Sequence, residues 1–398
     1  MLELSQVLSD ISAMGLETRR RTESVSSELE CALKQAALDP DSWEAAQARI
    51  EAMSKPPWLA AKCGDKSPAT LCTLPYDAPA TYTAIATDGS QIPLDRHAIA
   101  PCYLLNVGEI VLHYGTGERP RLTSHATLHY KDEEIFQRTA RGEPMPLSEK
   151  IIANRRFLAE SAALARLIAE NRDRVAIALV DDPLIVWTPP NEPESEQRLI
   201  IGDFCKMLEA GQAAETPVAG YISRPGSRDV VGALRLTLCE PGCAHAASSP
   251  CTALMQLTDA RLFDTLLPNP GDRSPIFGSA ASNQSLYPDD QKVFFFYLNV
   301  GSEIARVEAP RWVVDNPNFL DRLHVLVTDQ ARKGLGYPIG LSEAHERAIV
   351  RGPERDAFFR LVEAAFIRQN IPVLQTRKAL AKRTRLLRTP QLPAQLKR

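Results

Sequence analysis

Two short apolar runs, each followed directly by an acidic residue, constrain the fold of this chain most. Residues 83–86 (Thr-Ala-Ile-Ala) and 175–180 (Val-Ala-Ile-Ala-Leu-Val) are typical of buried strands. Residues 147–170 combine strong helix formers with periodic apolar positions, which predicts a long amphipathic helix leading into the second strand. Helical and strand patterns continue to alternate as far as residue 238. This alternation predicts an α/β fold whose sheet is flanked by helices.

The positions of helix breakers and charges divide the chain into four consecutive regions. Residues 3–53 have helical periodicity, which Pro56-Pro57 ends, and the stretch that follows is irregular. The predicted regions are an N-terminal helical segment (1–55), a connector (56–80), a main domain (81–376) and a basic C-terminal tail (377–398).

Three further patterns predict local structure inside the main domain. Ala98–Val107 and Glu109–Tyr114 predict the two strands of a hairpin with its turn at Gly108. Residues 267–290 are rich in Pro and Gly and predict a long loop. The predicted closing helices are 317–333 and 341–369, the second broken near Gly352-Pro353.

The composition, with 44% hydrophobic and 24% charged residues, is that of a soluble globular protein. We expect no membrane attachment, because no apolar stretch is long enough to span a bilayer and the N-terminus lacks a signal-peptide pattern. The eight cysteines show no disulfide-framework spacing, so we expect a reducing, cytoplasmic location. The set Cys239, Cys243, His245 and Cys251 fits no common zinc motif, which leaves open either a zinc site or reduced thiols.

The charge is distributed unevenly along the chain. The formal net charge is −3, but residues 377–398 contain eight basic residues and no acid. The remainder therefore holds 38 basic against 49 acidic residues, a net charge of −11. The basic tail, which includes Lys382, Arg383 and Arg385, is either a phosphate-binding arm or a solvated terminal helix.

The acids that follow the two apolar runs are the first candidates for chemistry. Asp88-Gly89-Ser90 and Asp181-Asp182-Pro183 read as turns at the ends of buried strands. A carboxylate in such a place is costly unless it is paired, and adjacent carboxylates repel without a cation. Acids on neighbouring strands suit a divalent metal of the kind that assists phosphodiester cleavage. The alternative is a pair of ordinary turns.

Four other residues have a chemical reading beside a structural one. Glu160 lies mid-helix and either reaches a site from that helix or is solvent-exposed. His345 falls in the first turns of a helix after Tyr337-Pro338, and is either a ligand or a solvated histidine. Arg224 and Arg228 flank a turn before a helix, which either contacts phosphate or is solvated.

Taken together, the order and spacing of these motifs resemble those of the NurA nuclease family. The resemblance covers about residues 80–375. It rests on Asp88-Gly89-Ser90 after a strand, a helix bearing Glu160, Val180-Asp181-x-Pro183-Leu184, the strand end Gly220-Tyr221-Ile222-Ser223-Arg224, and Tyr337-Pro338-x-x-Leu341-x-x-Ala344-His345.

The resemblance implies an RNase H-like core, as in the PIWI domain of Argonautes, with a mixed sheet flanked by helices and an N-terminal helical extension. It implies an Mn²⁺-dependent nuclease, with Mg²⁺ as the alternative ion, that degrades DNA from 5′ to 3′ and cuts single strands internally. Relatives are homodimers that dock on the hexameric HerA translocase and act in DNA end resection.

The motif match also implies residue roles. Asp88, Glu160 and Asp181 become the metal-binding acids, and Tyr337 and His345 complete the active site. The family usually has Asp-Gly at the second turn, where this chain has Asp181-Asp182. Asp182 is therefore either an extra ligand or a disturbance of the turn.

Two other functions remain open at this stage. The chain is alternatively a catalytically inactive scaffold that binds DNA or a translocase, and Asp182 supports that reading. A metal-dependent phosphohydrolase of small substrates is the third possibility. A Gly-rich Walker loop is missing from the sequence, so no ATPase motor is encoded.

Overall fold

The computed structural model describes residues 4–51, 58–64, 66–95, 100–138, 142–186, 193–239 and 250–370. The helices are α1 (Leu8–Ala36), α2 (Pro40–Glu51), α3 (Asp132–Ile135), α4 (Glu149–Glu170), α5 (Glu194–Ala213), α6 (Asp229–Thr237), α7 (Asp259–Leu266), α8 (Arg311–Val314), α9 (Pro317–Lys333), α10 (Ile339–Ala348) and α11 (Gly352–Arg368). The strands are β1 (Lys62–Cys63), β2 (Tyr82–Ile92), β3 (Tyr103–Tyr114), β4 (Arg121–His129), β5 (Phe136–Arg138), β6 (Pro144–Pro146), β7 (Ala176–Val180), β8 (Val218–Ile222), β9 (Phe277–Gly278), β10 (Val293–Asn299) and β11 (Ile304–Pro310).

A nine-stranded mixed sheet with the order β1-β9-β10-β11-β8-β7-β2-β3-β4 organises the fold. β7 is parallel to both β2 and β8, whereas β11 is antiparallel to β8 and to β10. In the β2–β7 pair the register runs from Thr83 opposite Ala176 to Thr87 opposite Val180. The strands β4-β3-β2 lie side by side in chain order, and β7 and β8 follow β2. The predicted RNase H-like mixed sheet flanked by helices is confirmed.

The chain forms two compact units, through both of which β2, β3, β4, α4 and α10 pass. The larger unit comprises residues 1–87, 110–122 and 161–344. One of its two apolar clusters joins Ala32 of α1 and Trp43 of α2 to residues of α6, α7 and β9, and the other lies between the sheet and α9. The N-terminal helices are thus packed into a shared core.

The smaller unit comprises residues 88–109, 123–160 and 345–398. Its core is formed by five buried apolar residues from β3, α3, α4 and the approach to α4. These are Tyr103, Leu105, Ile135, Leu147 and Ile152. Together they fix α4 beside the part of β3 that belongs to this unit.

Two predicted turns are wrong, and the reason is the same at each. β2 continues through Asp88-Gly89-Ser90, and β3 continues through Gly108 where a hairpin turn was predicted. Neither Gly89 nor Gly108 has a positive φ, which is what a glycine in a tight hairpin turn usually supplies. Asp181 and Asp182, by contrast, do form a bend directly after β7, so that prediction is confirmed.

The remaining predictions have mixed outcomes. Helix 317–333 and the break before Gly352 are confirmed. The predicted loop 267–290 contains β9, which pairs with β1 and β10. The tail 377–398, Cys243 and His245 lie outside the described residues. Within the residues that the structure describes, no helix is long and apolar enough to cross a membrane.

Candidate active site

Asp88 and His345 are hydrogen-bonded in the smaller unit. Asp88 lies on β2 with its side chain 19% exposed, and its Oδ2 is 2.9 Å from Nδ1 of His345. The other carboxylate oxygen, Oδ1, accepts the Gly89 N–H at 2.7 Å. His345 lies on α10 and is 59% exposed. Both oxygens of Asp88 are therefore engaged, and the imidazole is held at the edge of solvent.

Glu160 reaches the same point from α4. A Cβ atom built on Gly89 would lie 2.1 Å from Oε1 of Glu160, so the carboxylate occupies the space that a side chain at position 89 would fill. Arg156, one turn earlier, places Nε 3.4 Å from that Oε1 and donates from Nη1 to the Gly89 carbonyl at 2.9 Å. Two carboxylates, an imidazole and a guanidinium thus meet around Gly89.

The C-terminal end of α10 is fixed by side chains from β2 and β3. Ser90 donates from Oγ to the carbonyl of Ala348 at 2.5 Å. Asn106 donates from Nδ2 to the same carbonyl at 2.7 Å and to that of Arg347 at 3.2 Å. These bonds use carbonyls that a helix end leaves without helical partners. They hold His345, three residues before Ala348, at its place opposite Asp88.

Ser90, Asn106 and Arg156 are site residues that the sequence reading missed. The only local signal is that Arg156 lies four residues before Glu160 in a predicted helix, a spacing that places both on one face. The contacts of Ser90 and Asn106 join residues 258 and 242 positions apart, and no local pattern reports them.

The larger unit contains the other candidates. Asp181 is exposed directly after β7, and its charge is one of those that raise the pKa of Tyr221, after burial and the Glu303 carboxylate. Tyr337 packs edge-on against Tyr221 with ring centroids 5.4 Å apart. Arg224 donates to Glu303 at 3.3 Å with a side chain that is 85% exposed. Asp181, Tyr337 and Arg224 are therefore grouped around Tyr221 and Glu303.

The basic candidates differ in their surroundings. Arg228 is exposed and donates from Nη1 to the carbonyl of Met255 at 2.5 Å. Arg224 has a φ of +44°, a left-handed conformation that is uncommon for a side-chain-bearing residue. Lys382, Arg383 and Arg385 lie outside the described residues. DNA binding by these five residues remains a prediction.

The donor chemistry around Gly89 fits a hard divalent cation. Such ions take carboxylate oxygens, which Asp88 and Glu160 supply, and the imidazole of His345 is a further acceptable donor. In the part of the chain that the structure describes, no three His, Cys, Asp or Glu side chains are already grouped as ligands of one ion. The identity of the ion stays a prediction.

Fold and site together define an RNase H-like α/β protein with acidic residues within and directly after its central strands. A sequence profile of the NurA domain matches residues 82–350. The chain belongs to the NurA nuclease family.

Solved structures with a similar fold are nucleases. The NurA nuclease from Sulfolobus solfataricus is 12% identical, with 74% of this chain and 87% of that chain covered and a TM-score of 0.46. The catalytic domain of human endonuclease V is 13% identical, with 83% and 97% covered and a TM-score of 0.30. Thermus thermophilus RuvC is 14% identical, with 46% and 96% covered and a TM-score of 0.14. No curated protein matches this sequence.

Proposed function

We propose that this protein is a divalent-metal-dependent DNA nuclease that uses Mn²⁺, with Mg²⁺ as the alternative ion. The observation that carries the proposal is the meeting of Asp88, Glu160 and His345 around Gly89, in a chain of the NurA family. Carboxylates beside an imidazole are suited to holding a hard cation and moving a proton within one site.

Asp88, Glu160 and Asp181 are the proposed metal-binding residues. The β2–β7 register supports including Asp181, because Thr87 is opposite Val180 and each of these residues is followed directly by one of the acids. A divalent cation, when bound, supplies Lewis-acid activation of water and stabilises the charge that develops on a phosphodiester.

The other residues act on the DNA. His345, fixed through Nδ1 by Asp88, protonates the leaving oxygen or holds the scissile phosphate. Tyr337 orients the strand or stacks on a base. Arg224, Arg228 and the basic tail residues Lys382, Arg383 and Arg385 bind backbone phosphates without reading sequence.

The family resemblance supports a more specific role. We infer 5′-to-3′ exonuclease activity with endonuclease activity on single strands, in DNA end resection or repair. The protein acts in the cytoplasm as a homodimer on a hexameric HerA-type translocase. Size-exclusion chromatography with light scattering tests the dimer, and co-purification with the translocase tests the partner.

Cleavage of labelled DNA tests the activity. Single- and double-stranded DNA with a 5′ or a 3′ label is incubated with Mn²⁺, with Mg²⁺ and with a chelator. We expect shortening that requires metal, with the two labels giving the polarity. If DNA is bound but not cut, even with the translocase present, the inactive scaffold suggested by Asp182 is the better account. Activity on a small phosphoester alone favours a phosphohydrolase.

A further inference from the structure

The main chain that follows Asp181 is held by a buried acid in the larger unit. Glu308 lies on β11 with 1% of its surface exposed. Its Oε2 accepts the N–H of Leu184 at 2.8 Å and the N–H of Ile185 at 3.3 Å. Three positions beyond Asp181, the backbone is therefore tied to a carboxylate rather than to a strand partner.

Two further side chains hold the next residue. The hydroxyl of Tyr287 accepts the N–H of Val186 at 2.8 Å and donates to the carbonyl of Leu184 at 2.9 Å. Asn283 donates from Nδ2 to the carbonyl of Val186 at 2.5 Å. The N–H groups of residues 184–186 thus all end on side chains.

Glu308 is itself fixed by a buried cation. Arg306 donates from Nε to Oε1 of Glu308 at 2.9 Å and from Nη1 to Asp229. The guanidinium stacks over Phe295, with 3.6 Å from Cζ to the ring centroid. Burying such a set of charges is costly and often adds no stability over a well-packed apolar core. Its presence beside the acidic bend suggests that it serves position rather than stability.

The bend before this segment has little freedom to move independently. Pro183 has a restricted φ. A Cβ at Gly220 on β8 would lie 2.9 Å from the carbonyl oxygen of Asp182, so the strand and the bend are in close contact. Displacement of residues 184–186 would therefore be transmitted to Asp181.

We propose that Glu308, supported by Tyr287, is a positioning residue that holds Asp181 in its productive place at the end of β7. This inference rests on the proposed function, because it assumes that Asp181 takes part in metal binding. Neither residue is within the motifs that carry the family resemblance.

The test compares Glu308→Gln with a matched control, Asp259→Asn. Asp259 is also fully buried and also accepts two backbone N–H groups, from Val230 at 3.1 Å and Val231 at 2.8 Å. Its bonds cap α6 rather than the segment after Asp181. Tyr287→Phe and Tyr297→Phe form a milder second pair, since Tyr297 donates to Asp259 at 2.6 Å.

Three readouts separate position from stability. We expect Glu308→Gln to speed amide hydrogen exchange at Leu184 and Ile185 by about tenfold or more. Calorimetric Mn²⁺ affinity without DNA should fall, and kcat should fall by about 10- to 100-fold with KM for DNA unchanged. Tyr287→Phe should do the same to a smaller extent. Asp259→Asn and Tyr297→Phe should lower the melting temperature without these effects.

The inference is overturned if each variant and its control lose kcat and Mn²⁺ affinity equally, or if Glu308→Gln and Tyr287→Phe leave both unchanged. If the wild-type protein cuts no DNA, the proposed nuclease fails on its own. The positioning role is then decided by hydrogen exchange and Mn²⁺ affinity alone.

Discussion

Nδ1 of His345 lies 2.9 Å from Oδ2 of Asp88, which joins helix α10 to strand β2 within the smaller unit. Since Asp88 accepts this bond, Nδ1 is the protonated nitrogen of a neutral ring, and Nε2 is the nitrogen that acts on a substrate. The pair is therefore an oriented imidazole next to a carboxylate, an arrangement suited to proton transfer at a scissile bond.

The contact between Gly89 and Glu160 predicts the effect of a single methyl group. Gly89→Ala would place Cβ 2.1 Å from Oε1 of Glu160, and the flexible carboxylate must move away. We expect about 100-fold slower cleavage with little change in melting temperature. Gly202→Ala is the control, since no atom lies within 4 Å of its Cβ position. A Gly89→Ala protein as active as Gly202→Ala would contradict this account.

Replacing His345 tests the imidazole directly. His345→Gln keeps a polar side chain but cannot transfer a proton, so we expect kcat to fall by about 100-fold or more with KM little changed. His125→Gln is the control, because His125 is also exposed and also faces an acid, Glu109, at 3.4 Å. Steady-state kinetics on single-stranded DNA decide the question, and equal losses in both variants would remove His345 from the mechanism.

The sequence could predict those elements whose signal is local. The apolar run 175–180 placed β7 and the bend at Asp181 correctly, because a buried central strand needs a continuous apolar segment. Helix α9 was likewise predicted to the residue, since its start has a proline and its end a glycine.

The site was harder to predict, because its geometry depends on residues far apart in the chain. Gly89 was read as a turn residue, whereas its role is to let the Glu160 carboxylate approach β2. Whether Glu160 was exposed stayed open, and its side chain is only 12% exposed because it packs on that glycine. A local pattern contains neither fact.

His324 predicts a pH dependence of stability. It is fully buried on α9, and burial, with the nearby Arg273 guanidinium, lowers its pKa from 6.5 to about 4. Between these values the unfolded chain binds a proton that the folded chain does not, so stability is lost as the pH falls. The loss reaches about 3 kcal/mol. Urea unfolding across this range should show a shallower loss for His324→Gln, and parallel losses would refute the assignment.

The basic tail predicts a salt effect. Changing all eight basic residues of 377–398 to Gln keeps the length of the chain but removes the charge. We expect weaker DNA binding and a plot of log affinity against log salt that is flatter by about 0.7 for each lost contact with single-stranded DNA. Fluorescence anisotropy at several salt concentrations measures this slope. An unchanged slope would show that the tail is a solvated segment.

The most direct test of the central claim is an Mn²⁺ titration of cleavage by wild type, Asp88→Asn and a control, Glu170→Gln. Glu170 lies on the same helix as Glu160 but forms surface ion pairs with Arg121 and Arg166. We predict that wild type and Glu170→Gln cut 5′-labelled single-stranded DNA at the same Mn²⁺-dependent rate. Asp88→Asn should cut none at any Mn²⁺ concentration, with an unchanged melting temperature. Cleavage by Asp88→Asn at the wild-type rate would contradict the account.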